Sequence, residues 1–115
     1  MFYRFVAGFL AIVFASAAQA QTYPDRPIRL IAPFPAGGLV DVLARAVGDQ
    51  MTKTLGQPVV VENRAGAGGN TGALAVATAA PDGYTLLMSS AGILTANPFL
   101  YSKMPFDAAT AFIPI

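Results

Sequence analysis

Three short apolar runs punctuate this chain, "RPIRLIAPF", "QPVVVEN" and "YTLLMSS", and a glycine-containing turn follows each of them. Ile28, Leu30 and Ile31, then Val59 to Val61, then Tyr84 to about Met88, form near-continuous apolar stretches. Such runs suit strands buried on both faces of a sheet. Between the first two, Val40, Leu43, Ala44, Val47, Met51 and Leu55 recur at helical spacing and predict one apolar stripe. Asp41, Arg45, Asp49 and Lys53, each four residues from the next, predict an ion-paired, solvated face opposite it. Gly56 supplies the stop. A second helix is expected through "ALAVATAA", capped by Asn70 or Thr71, and Pro81-Asp82-Gly83 reads as a turn. The order strand, helix, strand, helix, strand, with short connections, predicts a three-layer α/β lobe with a parallel sheet and right-handed crossovers. A short helix around Ala96 to Tyr101 and the opening of a fourth strand at Phe112 to Ile115 complete the expectation.

Helices that follow parallel strands begin at the carboxyl edge of the sheet. The turns Ala36-Gly37-Gly38, Gly66 to Gly69 and Ser89 to Gly92 therefore face the same way, on the edge where open α/β sheets bind ligands. Glycine lets backbone N–H groups approach an anion, and a helix amino terminus adds unpaired donors and a favourable dipole. A carboxylate or a phosphate fits that chemistry. No lysine follows these glycines as a Walker-type phosphate loop requires. "GAGGNTG" narrowly misses the dinucleotide fingerprint: Thr71 stands where the last glycine is due, and Gly72 comes one residue late. An exported nucleotide- or dinucleotide-binding α/β enzyme is thus the competing reading. Gly37-Gly38 also has a plain one, a tight turn and nothing more. Asp41 either caps free N–H groups and pairs with Arg45, or binds a ligand hydroxyl or ammonium group or orients water beside an anion. Spacing alone favours the first.

The 115 residues allow one domain at most. They are 55% hydrophobic and only 11% charged, an excess to which the first twenty residues, "MFYRFVAGFLAIVFASAAQA", contribute. Arg4, the apolar stretch Phe5 to Ala15 and the closing Ala18-Gln19-Ala20 have the order of a cleavable secretory signal peptide spanning residues 1–20. The apolar stretch falls short of the roughly 18 residues a membrane crossing needs. Cleavage after Ala20 leaves six basic and six acidic residues, since Arg4 is lost from the seven. A formally neutral chain without basic runs argues against nucleic acid and membrane surfaces as partners. With no histidine and no cysteine, no Ser/His/Asp or Cys/His arrangement can be assembled, and no metal site, cofactor or catalytic role is expected. Asn63 and Arg64 follow a strand and are further candidates for ligand contact, though a solvated loop charge is the commoner role for Arg64. Tyr84, Tyr101 and Phe106 read as core or contact residues rather than a stacking box.

The signatures "YPDRPIRLIAPFPAGG" with Asp41, "GQPVVVENRAGAGGNTG", "APDGYTLL" and "NPFLY" resemble the start of the tripartite tricarboxylate transporter substrate-binding proteins, the Bug family. The last stretch, "FDAATAFIPI", is similar to the segment entering that family's crossover. The resemblance covers essentially the whole of the chain after the signal. It implies one lobe of a type II periplasmic binding protein, with residues 21–115 a partial first lobe and the second lobe absent from this chain. It also implies a periplasmic protein that captures a small carboxylate and delivers it to a permease with one large and one small integral-membrane subunit. By the same resemblance Ala36, Gly37, Gly38 and Asp41 hold the ligand carboxylate, partly through ordered water, and Phe34 and Pro35 shape the wall. Asn70, Thr71, Ser90, Ala91 and Gly92 would lie along the cleft. A non-functional remnant of an interrupted gene is the remaining alternative.

Overall fold

The structure, a computed structural model, describes residues 22–115. The expected signal segment lies outside the described residues. In chain order the elements are β1 (Ile28–Ala32), α1 (Leu39–Leu55), β2 (Val59–Asn63), a single 3-10 turn (Ala67–Gly69), α2 (Asn70–Ala77), β3 (Thr85–Leu87), α3 (Ala91–Thr95) and α4 (Asn97–Leu100). The strands form one parallel sheet in the order β2-β1-β3. Ile28 pairs with Val59 and Ala32 with Asn63, while Arg29 to Ile31 pair with Thr85 to Leu87. β1 lies centrally because it is apolar enough to be covered on both faces: Ile28, Leu30, Ile31 and Ala32 are all buried. The strand order reverses direction at β1. With right-handed crossovers, α1 and α2 then belong to opposite faces of the sheet.

α1 differs from expectation in its rotation. The line it buries is Asp41, Ala44 and Gly48, and Ala44 joins Leu30 and Ala32 in the core with Val40, Val59, Val61, Leu86 and Met88 around it. Leu43 and Val47, expected in the stripe, are 48% and 43% exposed. Small side chains cause this. A Cβ on Gly48 would already lie 3.4 Å from Val59 Cγ1, so the helix approaches β2 most closely where its own surface is thinnest. Asp41 moves from the expected solvated face to a buried position as a result, whereas Arg45, Asp49 and Lys53 stay exposed.

Three further boundaries differ. α2 begins at Asn70 itself, with Gly69 as its cap residue and no side-chain cap; the Asn70 side chain is engaged elsewhere. The segment after β3 carries two short helices where one was expected. Residues 112–115 form no strand: Phe112 packs its ring edge-on against Phe106 at 5.4 Å, and Pro114 has no N–H to give to a ladder. At the amino end of the sheet, Tyr23 donates to the Gly83 carbonyl (2.6 Å) and Tyr84 to the Asp25 carboxylate (2.6 Å). Arg26 pairs with Asp82 and lies 4.2 Å over the Tyr84 ring. The chain start is thereby clasped to the turn before β3. Among the described residues no helix is long and apolar enough to cross a membrane.

Candidate functional site

At the carboxyl edge the chain leaves β1 through Pro33 and Phe34 and turns at Gly37, whose φ of +86° lies in the left-handed region that glycine tolerates. The Gly38 N–H reaches the Pro35 carbonyl only at 3.4 Å. Side chains hold this turn instead. The Gly37 N–H donates to Asp41 Oδ2 at 2.8 Å. Asn63 donates through Nδ2 to Asp41 Oδ1 at 2.9 Å and to the Phe34 carbonyl at 3.1 Å. Arg45 grips both Asp41 oxygens, Nη2 to Oδ1 at 3.0 Å and Nε to Oδ2 at 3.2 Å. The Gly37 N–H, then Arg45 and Asn63, draw the Asp41 carboxyl down from 3.8 to about 2. A carboxylate that is 4% exposed stays ionised because every donor around it favours the charged form.

This arrangement corrects the simplest picture of the turn. Its Gly37 N–H is spent on Asp41, so the donors left open are the N–H groups of Leu39, Val40 and Asp41. The bond from the Val42 N–H to the Gly38 carbonyl is the first to close, and the three N–H groups before it have no acceptor among the described residues.

The second turn strings together Gly66, Ala67, Gly68 and Gly69 at positive φ. Asn97 ties it down from α4, donating through Nδ2 to the Gly68 carbonyl (3.1 Å) and to Asn70 Oδ1 (2.7 Å). Asn70, buried at 3% exposure, gives its own Nδ2 to Met104 Sδ at 3.5 Å. Both ends of the Asn70 amide therefore face the protein. Thr71 is exposed, with its hydroxyl lying over Gly66. In the third turn Ser90 is half-buried, Ala91 and Gly92 are exposed, and Ile93 is buried. A Cβ on Gly69 would lie 2.5 Å from Ile93 Cδ1 and 3.2 Å from Phe34 Cζ. Residues from all three turns therefore meet at Gly69.

The structure thus brings Phe34, Ala36, Gly37, Gly38, Asp41, Thr71, Ser90, Ala91 and Gly92 to one edge and turns the Asn70 side chain inward. Asn97 was missed. The one signal it gives is an asparagine set directly before Pro98, itself a common residue at a helix start. Each described arginine is in an ion pair, Arg26 with Asp82, Arg29 and Arg64 with Glu62, Arg45 with Asp41. The edge offers N–H and hydroxyl dipoles. Two surface concavities lie elsewhere: about 370 Å³ on the outer side of α1 by Val47 and Met51, and about 540 Å³ beside Tyr23 and Tyr84. The glycine edge is a solvent-exposed shelf, with Gly37, Gly38, Leu39, Thr71, Ala91 and Gly92 all exposed. Among the described residues no group of His, Cys, Asp or Glu is placed to hold a metal ion.

Residues 43–115 match the family described as "Tripartite tricarboxylate transporter family receptor". The protein BugT of Bordetella pertussis is 47% identical over 102 residues, 88% of this chain and 31% of that protein. A solved periplasmic transporter superposes with a TM-score of 0.72 at 46% identity, over 75% of this chain and 29% of its own. A Rhodopseudomonas palustris protein solved with adipate gives 0.74 at 39% identity, over 76% and 29%. MatC of the same species, solved with bound malate, gives 0.68 at 38%, over 80% and 31%. The chain spans about 30% of the length of the curated relatives it matches. On this family match and the 47% identity to BugT, this α/β lobe belongs to the tripartite tricarboxylate transporter receptor family, the Bug proteins.

Proposed function

We propose that this chain is one lobe of an exported solute-binding protein, and that it receives a small carboxylate on the glycine shelf. In this reading residues 1–20 direct export and are removed, and the protein works in the periplasm. It passes its ligand to a permease of one large and one small integral-membrane subunit, and it performs no chemistry. The observation that carries the reading is the convergence of three turns on one edge where the nearest carboxylate, Asp41, is already neutralised by Gly37, Arg45 and Asn63. A ligand carboxylate then meets the open N–H groups of Leu39, Val40 and Asp41, with the Ser90 to Gly92 turn and Thr71 alongside. The Arg45 guanidinium paired with Asp41 offsets the repulsion that an unpaired acid in the first turn of a helix would exert on an anion. The adipate and malate carried by the structural relatives support a carboxylate as the ligand class. The nucleotide reading has less behind it. The Gly69 N–H is spent on the Gly66 carbonyl at 2.9 Å, and Glu62, near the carboxyl end of β2, is engaged by Arg29 and Arg64. Ligand-observed saturation-transfer spectra against a panel of malate, adipate, citrate, ATP and NAD test the choice. Transfer to the carboxylates alone is expected; transfer to the nucleotides alone would overturn it.

A further inference from the structure

Three methionines lie among the described residues, and their sulfurs meet different surroundings. Met88 packs against the apolar cluster of Leu30, Ala32 and Ala44. Met51 lines the concavity on the outer side of α1. Met104 is half-buried between exposed Lys103 and Pro105, and its Sδ faces a donor, Asn70 Nδ2, at 3.5 Å. Asn70 is 3% exposed. Its amide carries two N–H hydrogens, and a thioether is a weak acceptor. Met104 Sδ is nevertheless the one acceptor this nitrogen has among the described residues. A buried amide so poorly matched costs free energy, and a better acceptor at this spot would recover it. The other end of the same amide holds the second glycine turn. Asn70 Oδ1 accepts from Asn97 Nδ2 at 2.7 Å, and that nitrogen also donates to the Gly68 carbonyl at 3.1 Å. A Cβ on Gly68 would lie 2.8 Å from Tyr101 Oη, so the chain just before Met104 closes on that turn as well.

We propose that Met104 is a site of reversible oxidation. A peroxide converts its thioether to the sulfoxide, and the new oxygen takes the Asn70 N–H, tightening the Asn70–Asn97 link to the second glycine turn. In that step the sulfur attacks one peroxide oxygen, and an S–O bond forms as the O–O bond breaks. Sulfur loses two electrons to the peroxide. The departing oxygen takes the proton of the transferred one and leaves as water. At Met88 a sulfoxide would enter the apolar core and disrupt its packing, the ordinary consequence of methionine oxidation. At Met51 it would lie on the outer side of α1, away from the three turns. At Met104 the donor is already in place. This is the methionine whose oxidation the fold accommodates.

Hydrogen peroxide treatment of the full chain, followed by peptide mass mapping and ¹⁵N spectra, tests this, with methionine sulfoxide reductase as the reversing step. Met104 is expected to gain one oxygen in the folded chain and to lose it again to the reductase. The Asn70 side-chain amide should shift, and backbone hydrogen exchange at Gly69, whose N–H closes the turn onto Gly66, should slow about fivefold, the scale of one ordinary hydrogen bond. Met104→Gln, which offers a carbonyl oxygen in place of the sulfur, should reproduce both changes without peroxide. Met104→Leu keeps the bulk, offers no acceptor, and should make the turn insensitive to peroxide. Faster exchange at Gly69 on oxidation would overturn the proposal, and so would an equal response in Met104→Leu. A Met104 that stays reduced in the folded chain, at a peroxide level that oxidises it in urea, would overturn it too. Met88→Leu, a swap of similar volume, repeats the measurements should oxidation at Met88 unfold the chain. No ligand enters any of these readouts, so their outcome is independent of the carboxylate reading.

Discussion

Asp41 concentrates the physics of the site in one side chain. It is an acid in the first turn of α1, buried and paired, so its charge is met by donors inside the protein rather than by water. Its folded carboxyl lies near 2 against an ordinary 3.8, so folding favours the ionised form. The stabilisation is fully present above about pH 4 and is lost as pH falls through about 2. Asp41→Asn should therefore flatten the fall in urea midpoint between those values, leaving a smaller slope from Glu62, whose carboxyl Arg29 also draws down. An unchanged slope would mean that the network contributes no charge-dependent stability. The sequence displayed the Asp41–Arg45 pair through its spacing. It did not display burial, because the i, i+4 pattern of charges looks the same whether the helix turns that line outward or against an asparagine on the next strand.

At the scale of elements, the two glycines that flank the second and third turns behave differently. A Cβ at Gly72 would lie 2.7 Å from Pro33 Cβ and 2.8 Å from both the Arg64 carbonyl and Pro33 Cα, so backbone must move. Gly72→Ala should cost about 1–3 kcal/mol, the usual range for overpacking. Gly92 has nothing within 4 Å and sits inside α3, where alanine is the better helix former by up to about 1 kcal/mol. Gly92→Ala should leave the denaturation midpoint unchanged or slightly raised, and an equal loss in the two variants would contradict the packing described for α2. Element order and the shared edge were legible in the sequence because apolar runs and 3.6-residue periodicity are local. The rotation of α1 was not. Two apolar lines run along it, and the one chosen by Ala44 and Gly48 is set by the strand it approaches. The final residues, 112–115, had the composition of a strand but pair with none among the described residues.

For the whole molecule, the sheet order β2-β1-β3 places β1 at the switch point, and the shelf forms where its connections part. Leu39, Val42, Leu43 and Val47 on α1 and Phe99 and Leu100 on α4 remain exposed. The curated relatives are more than three times as long as the stretch they share with this chain. A ligand on an open shelf keeps water on its far side, which weakens every hydrogen bond it makes. The family, the fold and the carboxyl edge were legible from spaced motifs; Asn97 and the inward turn of Asn70 depend on contacts made 27 residues apart. The most direct measurement is a ¹⁵N amide titration of this chain with malate and adipate. The account predicts the largest shifts at Leu39, Val40 and Asp41 and in the Ser90 to Gly92 turn, in fast exchange, with a Kd weaker than roughly 100 µM. Shifts centred instead beside Tyr23 and Tyr84 or on the outer side of α1, or micromolar affinity on the open shelf, would contradict it.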